Sequence, residues 1–246
     1  MGNDQPAILD PLTGRINSSL LGYFFILLLI CFFGFLLSLC LWKSHLFIYN
    51  YFLKFGYNEY ALDYVTTVVT NIFIINLQIA LVLLGLRLYG LKTSEIGWKL
   101  PASFKKIIAG ICLAVAFKFA REVFIAGGVT GVSVGMNVFW SKLHNSLAYY
   151  FLFVVPFVSP VFEELFYRGF VYTVMRKKLG RKVSVIITAC LFTVLHTNKL
   201  EFSFNTELFI DGIVYGLLRE WDGSVWSSVA AHSTHNLLLS WFNIKG

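Results

Sequence analysis

Charged side chains are scarce in this chain. Only 13% of its 246 residues are Asp, Glu, Lys or Arg, against about a quarter in an ordinary soluble domain. With 57% of residues hydrophobic, there is too little polar surface to cover a water-exposed globule, and a membrane protein is the default class. Other features are missing too. No CxxC spacing joins Cys31, Cys40, Cys112 and Cys190, which all lie in apolar runs and read as small packed hydrophobes rather than a disulfide or metal knot. There is no HExxH, no RNA motif, no internal repeat, no low-complexity tract and no separate soluble domain. The net charge of +7 therefore does not point to nucleic acid. No small-residue cleavage site follows the first apolar run promptly, so that run reads as a retained helix rather than a signal peptide.

Long apolar runs are what the chain does have. A bilayer core is spanned by about 20 apolar residues, and the pattern predicts an all-α, polytopic bundle of about seven transmembrane helices. The expected spans are Leu20 to Trp42, Val65 to Tyr89, Ile107 to Ala126, Leu147 to Val174, Val183 to Thr197, Thr206 to Leu218 and Val225 to Phe242. His45 to Tyr64 is rich in Tyr and Phe and reads as an interfacial helix or loop. Lys118 and Glu122 are spaced to pair on one helix face, and Lys118 and Arg121 are long enough to snorkel outward. Three regions follow: a cytoplasmic tail at 1–19, N-terminal membrane helices at 20–146, and a C-terminal bundle at 147–246. Twelve Lys and Arg residues fall on the side of the N-terminus and 5 on the other, which places the N-terminus in the cytoplasm.

Ionisable residues inside spans are costly and usually functional. Here they gather in the last third of the chain: Glu163, Glu164 and Arg168 in the fourth span, His196 at the end of the fifth, and His232, His235 and Asn236 in the seventh. At about 100° per residue, Glu164 and Arg168 share a face and can neutralise each other. Glu163 points elsewhere and suits acid–base work. Glu163, His196, His232 and Asn236 lie roughly 10 to 20 Å into their spans at 1.5 Å per residue, so they can converge. Pro156 and Pro160 precede the glutamates and can kink the helix and free carbonyls beside the site. Glu207 and Asp211 suit the N-terminus of the sixth helix, and His235, Tyr167 and Phe192 read as structural.

These residues carry a resemblance. EELFYRG at 163–169 resembles the EExxxR motif of the CAAX-protease and bacteriocin-processing (CPBP, or Abi) family of intramembrane peptidases. FTVLH at 192–196 resembles its FxxxH motif, and HSTHN at 232–236 its HxxxN motif. Three motifs in order, each in a span, are specific; they cover about Leu147 to Leu239. The resemblance implies a membrane-embedded peptidase. Glu163 would activate water, His196 would position it or move protons, and His232 and Asn236 would stabilise the oxyanion. Glu164 and Arg168 would organise the site. Substrates implied are membrane-associated: prenylated CAAX proteins, peptide precursors or C-terminal sorting tails. The compact chain suggests a bacterial inner-membrane member. No cofactor is favoured, although Glu163, His196 and His232 are also a plausible zinc set, which would make the enzyme a metalloprotease. Two rival classes remain: a proton-coupled transporter, since intramembrane carboxylates and histidines also relay protons, and a non-catalytic immunity or scaffold protein.

Overall fold

The computed structural model describes residues 20–125, 150–196 and 205–244. The tail at 1–19 and the loop at 127–146 lie outside them, as do Arg15, Lys142, Lys199 and Lys245. Among the described residues every regular element is a helix. The elements are α1 (Leu20–Leu53), α2 (Glu59–Tyr89), α3 (Phe104–Ile125), α4 (150–179), α5 (Arg181–His196), α6 (Thr206–Asp222) and α7 (Trp226–Ile244).

The first two helices are long because nothing breaks them. No proline occurs between Pro11 and Pro101. α1 runs on past Trp42 to Leu53, and α2 begins at Glu59. The aromatic stretch at 45–64 is thus two helix ends around a short turn, not a separate interfacial element. The turn is made at Gly56, whose φ of 78° is strained for residues with a Cβ. Tyr51 packs against Phe55 at 5.0 Å there.

α4 departs from a regular α-helix. Tyr150–Val158 and Leu165–Val171 are wound as π-helix, flanking α-helical Ser159–Glu164, and Tyr172–Leu179 is α-helical again. Pro156 and Pro160 fall in or next to the first wide stretch and lack the N–H that a tight i→i−4 ladder needs. α4 occupies the centre of the bundle. Its glutamate-bearing turns touch α2 on one side and α7 on another, while 165–171 also meets α5 and α6. α1 packs along α2, α3 along α7, and α5 along α6.

One end of the bundle is tied by polar contacts. Arg219 Nε donates to the Arg168 carbonyl at 3.2 Å and its Nη2 to the Glu95 carbonyl at 3.1 Å, joining α6, α4 and the 90–103 link. Asp222 sets the tight turn into α7, accepting from Ser224 Oγ at 2.6 Å, Ser227 Oγ at 2.8 Å and the Ala102 N–H at 3.2 Å. Fixing the start of α7 fixes the height of His232 two turns on.

The outer surface is apolar. Leu28, Phe47, Ile72, Phe73 and Leu83 are all more than half exposed, which suits lipid contact and would be a liability in water. One helix among the described residues, Val68–Tyr89 within α2, is long and apolar enough by itself to cross a membrane. α5, α6 and α7 have 16, 17 and 19 residues, roughly 24 to 29 Å at 1.5 Å per residue. Lys118 does not snorkel: it is 4% exposed and lines a cavity of roughly 520 Å³ between α3 and α6. The side chains of Arg121 and Glu122 lie outside the described set. The four cysteines are free, Cys31 and Cys190 half-buried and Cys40 and Cys112 exposed, so the last two face outward rather than pack inside.

Candidate active site

Glu163 and Glu164 are adjacent on α4 and face different partners. Glu163 Oε2 lies 3.2 Å from His196 Nε2 and 3.9 Å from His232 Nε2. Glu164 is fully buried. Its Oε1 lies 2.8 Å from Arg168 Nη1 and 3.0 Å from His232 Nδ1. The i, i+4 pairing of Glu164 with Arg168 survives the wide turn between them. His232 therefore meets both glutamates, one with each ring nitrogen.

Proton positions follow from the partners. A carbonyl only accepts, so His196 Nδ1, 2.8 Å from the Phe192 carbonyl, carries a hydrogen. A neutral His196 then presents Nε2 as an acceptor towards Glu163. The Nε2···Oε2 contact closes as a hydrogen bond when the pair holds one additional proton. By the same logic the Glu164 carboxylate, already paired with Arg168, assigns a hydrogen to His232 Nδ1.

Aromatic rings enclose the buried cation. The Arg168 guanidinium lies 4.5 Å from the Phe192 ring centroid, 5.3 Å from Tyr215 and 5.7 Å from Tyr167. Its Nη2 donates to the Gly212 carbonyl at 3.2 Å. α6 can come this close because residue 212 has no side chain: a Cβ there would sit 2.9 Å from Cα and Cβ of Ala189 on α5. Tyr215 stacks on His232, with ring centroids 5.0 Å apart and planes 16° from parallel. Phe192 packs on His196 at 4.2 Å. Phe192 and Tyr215 thus hold both imidazoles. Phe192 is more than the packing residue its apolar setting suggests, and Tyr215 has no motif to reveal it.

The other candidates are placed differently. Asn236 Nδ2 donates to the Val155 carbonyl at 3.4 Å. Pro160, five residues on, has no N–H to offer that oxygen, so the carbonyl freed by proline is taken up from α7. His235 turns away, with Nδ1 3.7 Å from Asp211 Oδ2. Glu207 lies in the exposed first turn of α6, where the Asn205 side chain caps the N–H groups of Glu207 and Leu208. Asp211 is buried at 9% exposure, deeper than a helix-start carboxylate at the interface. No group of three His, Cys, Asp or Glu residues among those described is arranged to hold a metal ion.

Glu163 and His196 open onto a cavity of roughly 370 Å³. Its near wall is α4 and α5, with Tyr167 beside the pair; its far wall is α1 and α2, including Cys31, Gly34 and Gln78.

Two of the basic residues that the charge asymmetry assigns to the side of the N-terminus, Arg176 and Lys177, meet carboxylates at one end of the bundle. Lys177 pairs with Glu95 at 2.8 Å and Arg176 with Glu220 at 2.7 Å. The hydrogen bond from Arg176 holds the Glu220 carboxyl below the usual range, and that from Lys177 does the same for Glu95.

Residues 145–238 match the family described as type II CAAX prenyl endopeptidase Rce1-like. Over that range the chain is similar to Rce1-like proteins, consistent with the CAAX-protease and bacteriocin-processing family. Comparison with curated proteins and with solved structures gave no match. Glu163, Glu164, Arg168, His196, His232 and Asn236 all fall inside the matched range, whereas the α1–α2 wall of the cavity lies outside it.

Proposed function

We propose that the chain is an intramembrane endopeptidase that hydrolyses a peptide bond of a membrane-associated substrate. The observation that carries this reading is the Glu163–His196 pair, 3.2 Å apart, both reaching one cavity. In their deprotonated forms the two present converging acceptors. Such a pair is complementary to the two hydrogens of a water molecule. As the water oxygen attacks the substrate carbonyl, one of its protons passes to Glu163. That proton, shared between Oε2 and Nε2, is then delivered to the departing amine nitrogen, which completes hydrolysis.

Negative charge develops on the carbonyl oxygen during attack. His232, with Nδ1 committed to Glu164, meets it through Nε2–H in its doubly protonated form, and Asn236 supplies a second donor from the next turn. Glu164 and Arg168 hold His232 in register. Glu164, Arg168 and His232 are buried, and exclusion of bulk water strengthens the interactions among them.

The substrate classes that suit the family are a prenylated CAAX-type tail, a peptide precursor or a C-terminal sorting tail. The α1–α7 helices form a polytopic bundle in the cell membrane of a bacterium, with the N-terminus and the 90–103 link in the cytoplasm. The test is purified protein in lipid vesicles with a farnesylated CAAX-type peptide, cleavage being followed by mass spectrometry. Cleavage by the parent and far slower cleavage by Glu163→Gln are expected. Equal rates for the two proteins would sink the mechanism, and proton flux without cleavage would favour a transporter. Loss with a chelator and recovery with zinc would assign the site to a metal.

A further inference from the structure

Across the cavity from Glu163 and His196 stands the α2 wall. Asn71 and Gln78 both line it. They are seven residues apart, close to two turns, so they share one side of α2 about 10 Å apart along its axis. Between and beyond them the wall is apolar, with Ile74, Leu77 and Leu81.

Gln78 Oε1 is buried and accepts no hydrogen bond among the described residues. Two other buried polar atoms share that condition, Glu164 Oε2 and Arg168 Nε. Both belong to the interior ion pair and neither residue borders the cavity. Gln78 is the one of the three on the cavity wall. A buried acceptor left empty is unfavourable, and an apolar helix facing lipid has no packing need for a carboxamide. The position makes sense when the Gln78 carboxamide, on a residue that lines the cavity, turns its oxygen inward to meet a donor there.

The character of that donor is constrained. No charged side chain lines the α1–α2 wall of this cavity, so it is not built for an ionic group. A lipid chain offers no N–H at all. An extended peptide presents main-chain N–H groups on each side at every second residue, about 7 Å apart, within the reach of the Asn71–Gln78 stripe.

We propose that Gln78 is a substrate-positioning residue, its Oε1 accepting a main-chain N–H of the peptide so that the chain lies along α2 with its scissile carbonyl turned towards Glu163 and His196. This rests on the hydrolytic reading of that pair and adds the surface that holds the substrate against it.

The test is a cycle of side-chain and main-chain changes. The probe is the farnesylated CAAX-type peptide, with analogues in which one amide N–H beside the scissile bond is replaced by an ester oxygen. The proteins are the parent and Gln78→Leu. Gln78→Leu should lower kcat/KM about tenfold, the weight of one neutral hydrogen bond, chiefly through KM. One ester position should cost the parent a similar factor and cost Gln78→Leu nothing more. The melting temperature of Gln78→Leu should hold or rise, because an empty acceptor has been removed, whereas a structural glutamine would lower it. Binding of the same peptides in a Glu163→Gln background separates the two readings. Position-specific coupling in binding without any cleavage by the parent overturns hydrolysis and keeps Gln78. Cleavage with ester and side-chain effects that simply multiply at every position overturns the role of Gln78, as water donation to Oε1 would. No binding of the peptide to any of the proteins overturns both.

Discussion

Glu164 and His232, 68 residues apart in sequence, meet at 3.0 Å through the same carboxylate oxygen that Arg168 holds at 2.8 Å. One buried oxygen thus sets both the charge balance of α4 and the orientation of an imidazole on α7. Because Nδ1 of His232 is committed there, Nε2 faces Glu163.

Arg168→Met should destabilise the protein by about 3–5 kcal/mol, since it leaves the fully buried Glu164 carboxylate without its cation. Glu164→Leu combined with Arg168→Met should recover much of that loss. Activity should stay absent in the double variant, because His232 has lost its anchor. Thermal unfolding in detergent and peptide cleavage, measured on the same preparations, separate the two effects.

Glu163→Gln should behave in the opposite way. Its side chain touches the two histidines and no cation at bonding distance. The fold should tolerate the change with a melting temperature close to the parent's. The catalytic rate should fall by about 10²- to 10⁴-fold, the usual weight of a general base. A variant as active as the parent would remove Glu163 from the chemistry.

Gly212→Ala should cost about 1–3 kcal/mol, as overpacking does. The added Cβ would meet Ala189 at 2.9 Å, and α6 would have to withdraw the carbonyl that receives Arg168. Ala189→Gly in the same protein should restore part of the stability, because it removes one of the two close atoms. Chemical unfolding of the single and double variants reports this directly; no rescue would argue against the steric cause.

Acid should weaken the Arg176–Glu220 end of the bundle first. The Glu220 carboxyl is held below its usual value by Arg176, so its contribution is complete above the ordinary carboxylate value of about 4.3. It is lost as pH falls through the lowered folded value. Unfolding followed from about pH 7 down to about pH 3 should show less acid sensitivity in Glu220→Gln than in the parent. An unchanged slope would mean that the pair is screened by solvent.

Much of the site could be read from spacing. Glu164 and Arg168 are four apart, and helix periodicity alone separates their role from that of Glu163. His196 and His232 came from polar residues inside apolar runs. The remainder depended on information that spacing does not hold. Apolar runs do not say which backbone hydrogen bonds form, so the π-wound turns of α4 were invisible, although Pro156 and Pro160 marked the place. The meeting of His232 with Glu164 needs the height of α7, which Asp222 sets through the turn at 222–227. Spacing also does not show that one hydrogen of Asn236 Nδ2 goes to the Val155 carbonyl. Gln78 is legible as an amide in an apolar run, but spacing does not place it across a cavity from Glu163 and His196. The first apolar run seemed to end at Trp42, whereas α1 continues to Leu53 and has 34 residues; the shortness of the fifth run, Val183 to Thr197, is kept in α5, which has 16.

The cavity has two walls of different origin. Its glutamate and histidine side is supplied by α4 and α5, within residues 145–238, and its opposite side by α1 and α2, which lie outside that range. If Glu163 and His196 hydrolyse a peptide bond, the chemistry and the choice of peptide lie on separate halves of the chain. Grafting the α1–α2 hairpin of a relative onto this α4–α7 core should exchange which peptides are cut while leaving the acid–base pair, and the rate it sets, as they are.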